Sequence, residues 1–182
     1  MKRFLYLASG LFAFGAALQA NPLAAQELYG GVYAHAVDTP FTFDTGEDGV
    51  DLQLGYRFEE IEALSIIGAP EPYVFGSVNL NGDTNFAGAG LSWKAEIGPV
   101  YLRPGIGLVI HDGPTERIDP ETRLRTDLGS RILFEPEIAL GAHLTERVSV
   151  EASWVHISNA RLFNSKQNPG IDTIGIRLNL RM

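Results

Sequence analysis

The chain has 182 residues, 14 of them basic and 22 acidic, for a net charge of −8 at pH 7. That balance argues against a polyanionic partner such as nucleic acid. There is no cysteine, which excludes disulfide staples, thiol chemistry and thiolate metal sites and leaves stability to hydrogen bonding and packing.

The chain opens with Lys2 and Arg3, continues through an apolar run from Phe4 to Leu18 and reaches small residues at Ala20, Ala24 and Ala25. This is the pattern of a secretory signal peptide. Residues 1–25 are therefore expected to be such a peptide, cleaved after Ala20 or after Ala25, with residues 26–182 as one domain. Losing the two cations takes the mature charge from −8 to −10.

From Glu27 onward helical periodicity is nearly absent and two-residue alternation recurs. A weak strand is expected near Leu28–Val37. Next, Val50, Leu52, Leu54, Tyr56 and Phe58 alternate with Asp51, Gln53, Gly55 and Arg57, and a second weak strand is expected near Tyr73–Leu80. Ala87, Ala89, Leu91, Trp93, Ala95 and Ile97 then oppose Gly88, Gly90, Ser92, Lys94 and Glu96. Val100, Leu102, Pro104, Ile106, Leu108 and Ile110 oppose Tyr101, Arg103, Gly105, Gly107 and His111. Ile132, Phe134, Pro136, Ile138, Leu140, Ala142 and Leu144 oppose Arg131, Glu135, Glu137, Gly141 and His143. Val148–Ser158 forms a seventh strand. The last places Ile174, Ile176, Leu178, Leu180 and Met182 against Gly175, Arg177, Asn179 and Arg181.

Eight long alternating strands predict an all-β chain folded as an antiparallel, up-and-down β-barrel. Tight turns around Gly98 and Glu146 and long connections at Asp38–Gly49, His111–Gly129 and Ala160–Gly170 largely alternate, as in outer-membrane barrels. The longish Glu59–Glu71 and the short Asn81–Asn85 break the alternation. Parity alone does not say which face is outside, since a soluble lipid carrier would turn the oily face inward. The other face is rich in glycine and in charges of both signs, Arg103, Glu135, Glu137, Glu151, Arg177 and Arg181. Such charges can pair across a narrow lumen, which favours a transmembrane barrel with its oily face in lipid.

In the seventh strand Val148, Val150, Ala152 and Trp154 make the oily face, and His156 and Ser158 continue it in the same parity. Residues i and i+2 stand about 6.7 Å apart along a strand, so an imidazole leaning along the strand can reach a serine hydroxyl. Asp172 shares parity with Ile174 on the next strand and can orient the far ring nitrogen. A triad on the lipid-facing wall, near the outer-leaflet rim, suits a substrate that itself lies in the membrane. The same three residues also read as a headgroup-level histidine, an ordinary serine and a turn acid. His35, His111 and His143 have lumen parity and no serine two positions on.

At these residues the sequence resembles the PagL-type lipid A 3-O-deacylases, through "HISNA" at His156–Ala160 and "NPGID" at Asn168–Asp172. The resemblance implies an eight-stranded outer-membrane barrel of Gram-negative bacteria that hydrolyses the ester-linked 3-hydroxyacyl chain at position 3 of lipid A. It makes Ser158 the nucleophile, His156 the general base and Asp172 the orienting acid, without a cofactor or metal. Asp172 stands where the family's acid is typically glutamate, and Arg161 follows Ala160 where glycine is expected. Asn159, Asn168 and Gly170 are candidates for oxyanion stabilisation or support, and Arg161 and Lys166 for lipid A phosphates. Acyl-chain preference and homodimerisation stay open. The rival from another class is a non-catalytic adhesive barrel that binds partners through its long loops.

Overall fold

The computed structural model describes residues 26–42, 45–115, 128–162 and 168–182. The expected signal peptide, residues 1–25, and Lys166 lie outside the described residues. The strands are β1 (Glu27–Ala34), β2 (Val50–Arg57), β3 (Glu71–Asn79), β4 (Phe86–Ser92), β5 (Ala95–Ile97), β6 (Val100–His111), β7 (Ile132–His143), β8 (Val148–Ile157) and β9 (Ile171–Arg181). All neighbours pair antiparallel, and both β4 and β5 pair with β6, so the sheet closes into a barrel of eight staves with β4 and β5 as halves of one.

Proline explains where the ladder lapses. Trp93 N–H donates to Pro104 O at 2.9 Å, but Pro104 has no N–H to return, and the stave breaks at Trp93–Lys94 before resuming in the same register. Pro136 does the same between β7 and β8. It stands opposite His156, and pairing resumes beyond it at Phe134–Ser158, where both backbone bonds form (2.8 and 3.0 Å).

Exposure decides which face is outside. Leu54 is 58% exposed and Ile176 62%, whereas Arg103 and Glu151 are 0% exposed. The oily face therefore clads the barrel, the reverse of a soluble carrier and the arrangement a bilayer requires.

The lumen is filled in layers. Toward the end that carries Gln26 and Met182, Arg103 donates to Glu27 (2.7 Å) and Arg177 donates to Glu137 (2.9 Å) and to Glu151. Arg57 donates to Asn179 (2.9 Å) and lies 4.2 Å over the Tyr29 ring. Glycines on this face make room for tyrosine rings. Tyr29, Tyr33, Tyr73 and Tyr101 each stand directly opposite a glycine, respectively Gly55, Gly175, Gly90 and Gly141. A Cβ on Gly141 would lie 2.1 Å from the Tyr101 ring.

Toward the other end the filling turns apolar, with Phe75, Phe86, Val109, Leu133, Val155, Ile157 and Ile171 packed together. Alternation of oily and polar residues does not reveal this layer, because there the strands are apolar on both faces. It puts a close-packed backing behind the end of β8 and the start of β9.

Candidate active site

The antiparallel register of β8 and β9 sets His156 directly opposite Asp172. Both side chains project from the outer wall, and His156 Nδ1 lies 2.7 Å from Asp172 Oδ1. Aspartate, one methylene shorter than glutamate, therefore reaches the ring without difficulty. This leaves Nε2 as the nitrogen available to a hydroxyl. Ser158, two residues along on the same face, is almost fully buried. Among the described residues no hydrogen bond joins Ser158 Oγ to the imidazole. In apo enzymes such contacts are commonly long and tighten in the substrate complex.

Gly170 packs against the ring. Its φ is +70°, and a Cβ there would stand 2.9 Å from His156 Cε1, so both the left-handed backbone and the close approach call for glycine. Asn159 is fully buried and ties neighbouring segments together. Its Nδ2 donates to Leu128 O (2.9 Å), its Oδ1 accepts from Arg161 N–H (2.7 Å), and its own N–H donates to Asn168 Oδ1 (2.9 Å). Arg161 is exposed, and it and Ala160 have φ of 59° and 52°. The glycine-like turn is thus kept without glycine, at a cost of order 1–3 kcal/mol per residue.

A residue absent from the sequence-based set joins the site. The β1–β2 connection folds over Asp172, where Val37 N–H donates to Asp172 O (2.8 Å) and Thr39 Oγ1 donates to Asp172 Oδ2. Phe41 meets the Trp154 ring (centroids 5.6 Å apart), and Trp154 in turn lies 6.2 Å from the His156 ring. Nothing local in "DTPFT" marks this contact, which spans 133 positions.

The other sequence-noted histidines lie elsewhere. His111 bonds Ser130 O and His143 bonds Glu96, so neither approaches Asp172. His35, just beyond β1, clasps the same connection from the lumen side. Its Nδ1 and Nε2 lie 2.9 Å from Asp51 and 2.9 Å from Glu47.

The chain matches the family model "Lipid A 3-O-deacylase (PagL)" over residues 65–181. It belongs to the PagL family. A comparison with curated proteins finds no match. Among solved structures, the chain is similar to that described as the crystal structure of the outer membrane enzyme PagL, at 17% identity and a TM-score of 0.58, covering 86% of this chain and 99% of that one. It is also similar to Neisserial surface protein A, at 9% identity and a TM-score of 0.55, covering 86% and 97%. At these identities the likeness is one of fold, that of small outer-membrane barrels, and the PagL assignment rests on the family model. The chain is thus an outer-membrane barrel of a hydrolase family acting on lipid A, and His156, Ser158 and Asp172 lie together on one patch of its outer wall.

The clasp carries a pH prediction. Burial alone would lower the His35 pKa, but its hydrogen bonds to Asp51 and Glu47 outweigh that and raise it from 6.5 to about 9. A raised folded-state pKa gives stability that is present in full below about pH 6.5 and lost as pH rises through about 9. Urea unfolding in lipid vesicles from pH 6 to 10 should therefore show wild type losing stability that His35→Gln does not lose. Parallel curves would contradict the clasp.

Proposed function

We propose that the protein is a serine esterase that removes the ester-linked 3-hydroxyacyl chain at position 3 of lipid A. The observation that carries the reading is the 2.7 Å contact between His156 Nδ1 and Asp172 Oδ1 on the lipid-facing wall, with Ser158 two residues from the ring on the same face. Family membership supplies the substrate class.

Ser158 Oγ attacks the acyl carbonyl carbon while His156 Nε2 takes the hydroxyl proton. Asp172 Oδ1 accepts a hydrogen bond from Nδ1–H, which holds the ring in the right tautomer and stabilises the imidazolium. The tetrahedral adduct collapses, breaking the bond to the sugar oxygen, and the imidazolium protonates that oxygen as it leaves. Water, deprotonated by His156, then attacks the acyl-serine; the second adduct collapses by breaking the bond to Ser158 Oγ, which takes the proton back from the imidazolium, and a 3-hydroxy fatty acid leaves. No cofactor enters the scheme.

The developing oxyanion needs donors. Asn168 Nδ2 and the Gly170 N–H are assigned that role. Asn159, whose amide group and N–H hold the loop, is assigned to support. Arg161, exposed beside the site, is assigned to a lipid A phosphate, with Lys166 on the same connection as its companion. The triad would sit near the outer-leaflet rim, where an acyl ester can reach it without leaving the membrane.

Expression in a Gram-negative host followed by mass spectrometry of extracted lipid A tests the reading. Wild type should remove one 3-hydroxyacyl group; Ser158→Ala and His156→Ala should not, while remaining heat-modifiable folded barrels. Asp172→Asn should lower kcat by at least about 10²-fold, because an amide stabilises the imidazolium poorly. Full activity in Ser158→Ala would refute the mechanism.

A further inference from the structure

We propose that Thr39 is a positioning residue for the acid of the site, orienting the Asp172 carboxylate toward His156. This rests on the triad reading above. Asp172 is fully buried although it lies on the outer face of β9, so its donors must come from the protein. Its two oxygens have different partners, Oδ1 facing His156 Nδ1 and Oδ2 accepting from Thr39 Oγ1. A carboxylate bonded through one oxygen only can turn about Cβ–Cγ, whose torsional well is broad. One bonded through both cannot turn without breaking a bond.

The hydroxyl is itself directed. Phe41 N–H donates to Thr39 Oγ1 at 3.1 Å, which engages the oxygen as acceptor and leaves its proton for Asp172. The segment does not depend on that bond for its place, since Val37 N–H to Asp172 O and the Phe41–Trp154 ring contact hold it as well. Removing the hydroxyl therefore leaves the segment docked through those two contacts while releasing Asp172 Oδ2 and the Phe41 N–H, and a serine restores both bonds.

Thr39→Val and Thr39→Ser, assayed on lipid A in detergent micelles, test this. Valine should lower kcat by about tenfold or more with KM within about twofold of wild type, the size expected for a lost bond to a charged acceptor. Serine should restore most of it. A kcat for Thr39→Val within about twofold of wild type, or a serine variant as impaired as valine, would overturn the role. An active Ser158→Ala would instead defeat the triad reading itself, so the two failures are distinguishable.

At the opposite end of the barrel we infer that the β2–β3 connection docks on phospholipid of the periplasmic leaflet. It carries a 3₁₀ helix, Glu62–Ile67, with no buried residue and Ile66 94% exposed. From Ala63 to Pro70 it has no charge. It lies against the outside of the barrel, where Trp93, in register with the outward Ala89 and Leu91, donates Nε1–H to Ile67 O at 2.8 Å. Gly68 packs so closely that a Cβ would stand 3.1 Å from Trp93 Cδ1.

This patch continues the lipid-facing band through exposed Phe58 and Ile97. It occurs at the end with the short turns, which outer-membrane barrels place in the periplasm, and an indole at that level belongs to the aromatic girdle. Continuity with the lipid-facing wall makes lipid the occupant rather than a protein.

Because the chain has no cysteine, a single spin label reports the site cleanly. Ile66→Cys, labelled and reconstituted in phosphatidylethanolamine–phosphatidylglycerol vesicles, should be relaxed more by oxygen than by a water-soluble nickel chelate. Glu146→Cys, in the exposed β7–β8 turn, should show the reverse. Nickel accessibility at position 66 equal to that at 146 would overturn the docking.

Discussion

In a bilayer no backbone N–H or C=O can be left to solvent, so a β-structure must close on itself with every rung made inside the protein. Everything functional in this chain follows from that closed, two-residue-period ladder. Its parity sends Trp154, His156 and Ser158 out through one wall, and its register brings Asp172 opposite His156 rather than one residue away. A slip of one residue would turn the aspartate into the lumen. The geometry of the candidate site is therefore a by-product of the membrane's demand for paired backbone, sharpened only at the edges by loops.

A site on a barrel wall has no cleft to stiffen it, and the lumen supplies that rigidity instead. Tyrosine rings laid over glycines, arginine–glutamate pairs and the apolar plug fill the narrow interior and brace the staves. Ile157 and Ile171, paired with one another across β8 and β9, are part of that plug and flank His156 and Asp172 in sequence. The side chains of the proposed triad thus stand on elements whose opposite face is close-packed, the condition for holding a triad to within a fraction of an ångström. From outside, the β1–β2 connection adds the Thr39 hydroxyl as a donor to the acid and sets Phe41 against Trp154.

Much of this was legible in the residues. Two-residue alternation marks the staves because lipid and lumen impose opposite chemistry on the two faces, and the placement of His156, Ser158 and Asp172 on the outer wall is a matter of counting along it. Counting fails where the constraint differs. Val109, Leu133, Val155 and Ile157 look like breaks in pattern because the upper lumen is itself apolar. The lapse at Trp93–Lys94 comes from a proline on the neighbouring strand, which no local window contains. Thr39 was invisible for the same reason. Its partner is 133 positions away, and only the closure of β1 onto β9 brings them together. Arg161 shows the converse, a residue whose type argues against a turn that the surrounding hydrogen bonds enforce.

The central claim is that Ser158 is an activated nucleophile on the outer wall. The most direct measurement is to treat the detergent-purified barrel with a fluorophosphonate and locate the adduct by fragmentation of the tryptic peptide spanning 148–161, which also holds Ser149 and Ser153. The account predicts modification at Ser158 alone, lost in His156→Ala. An unmodified peptide from protein that actively deacylates lipid A, or an adduct on another serine, would contradict it.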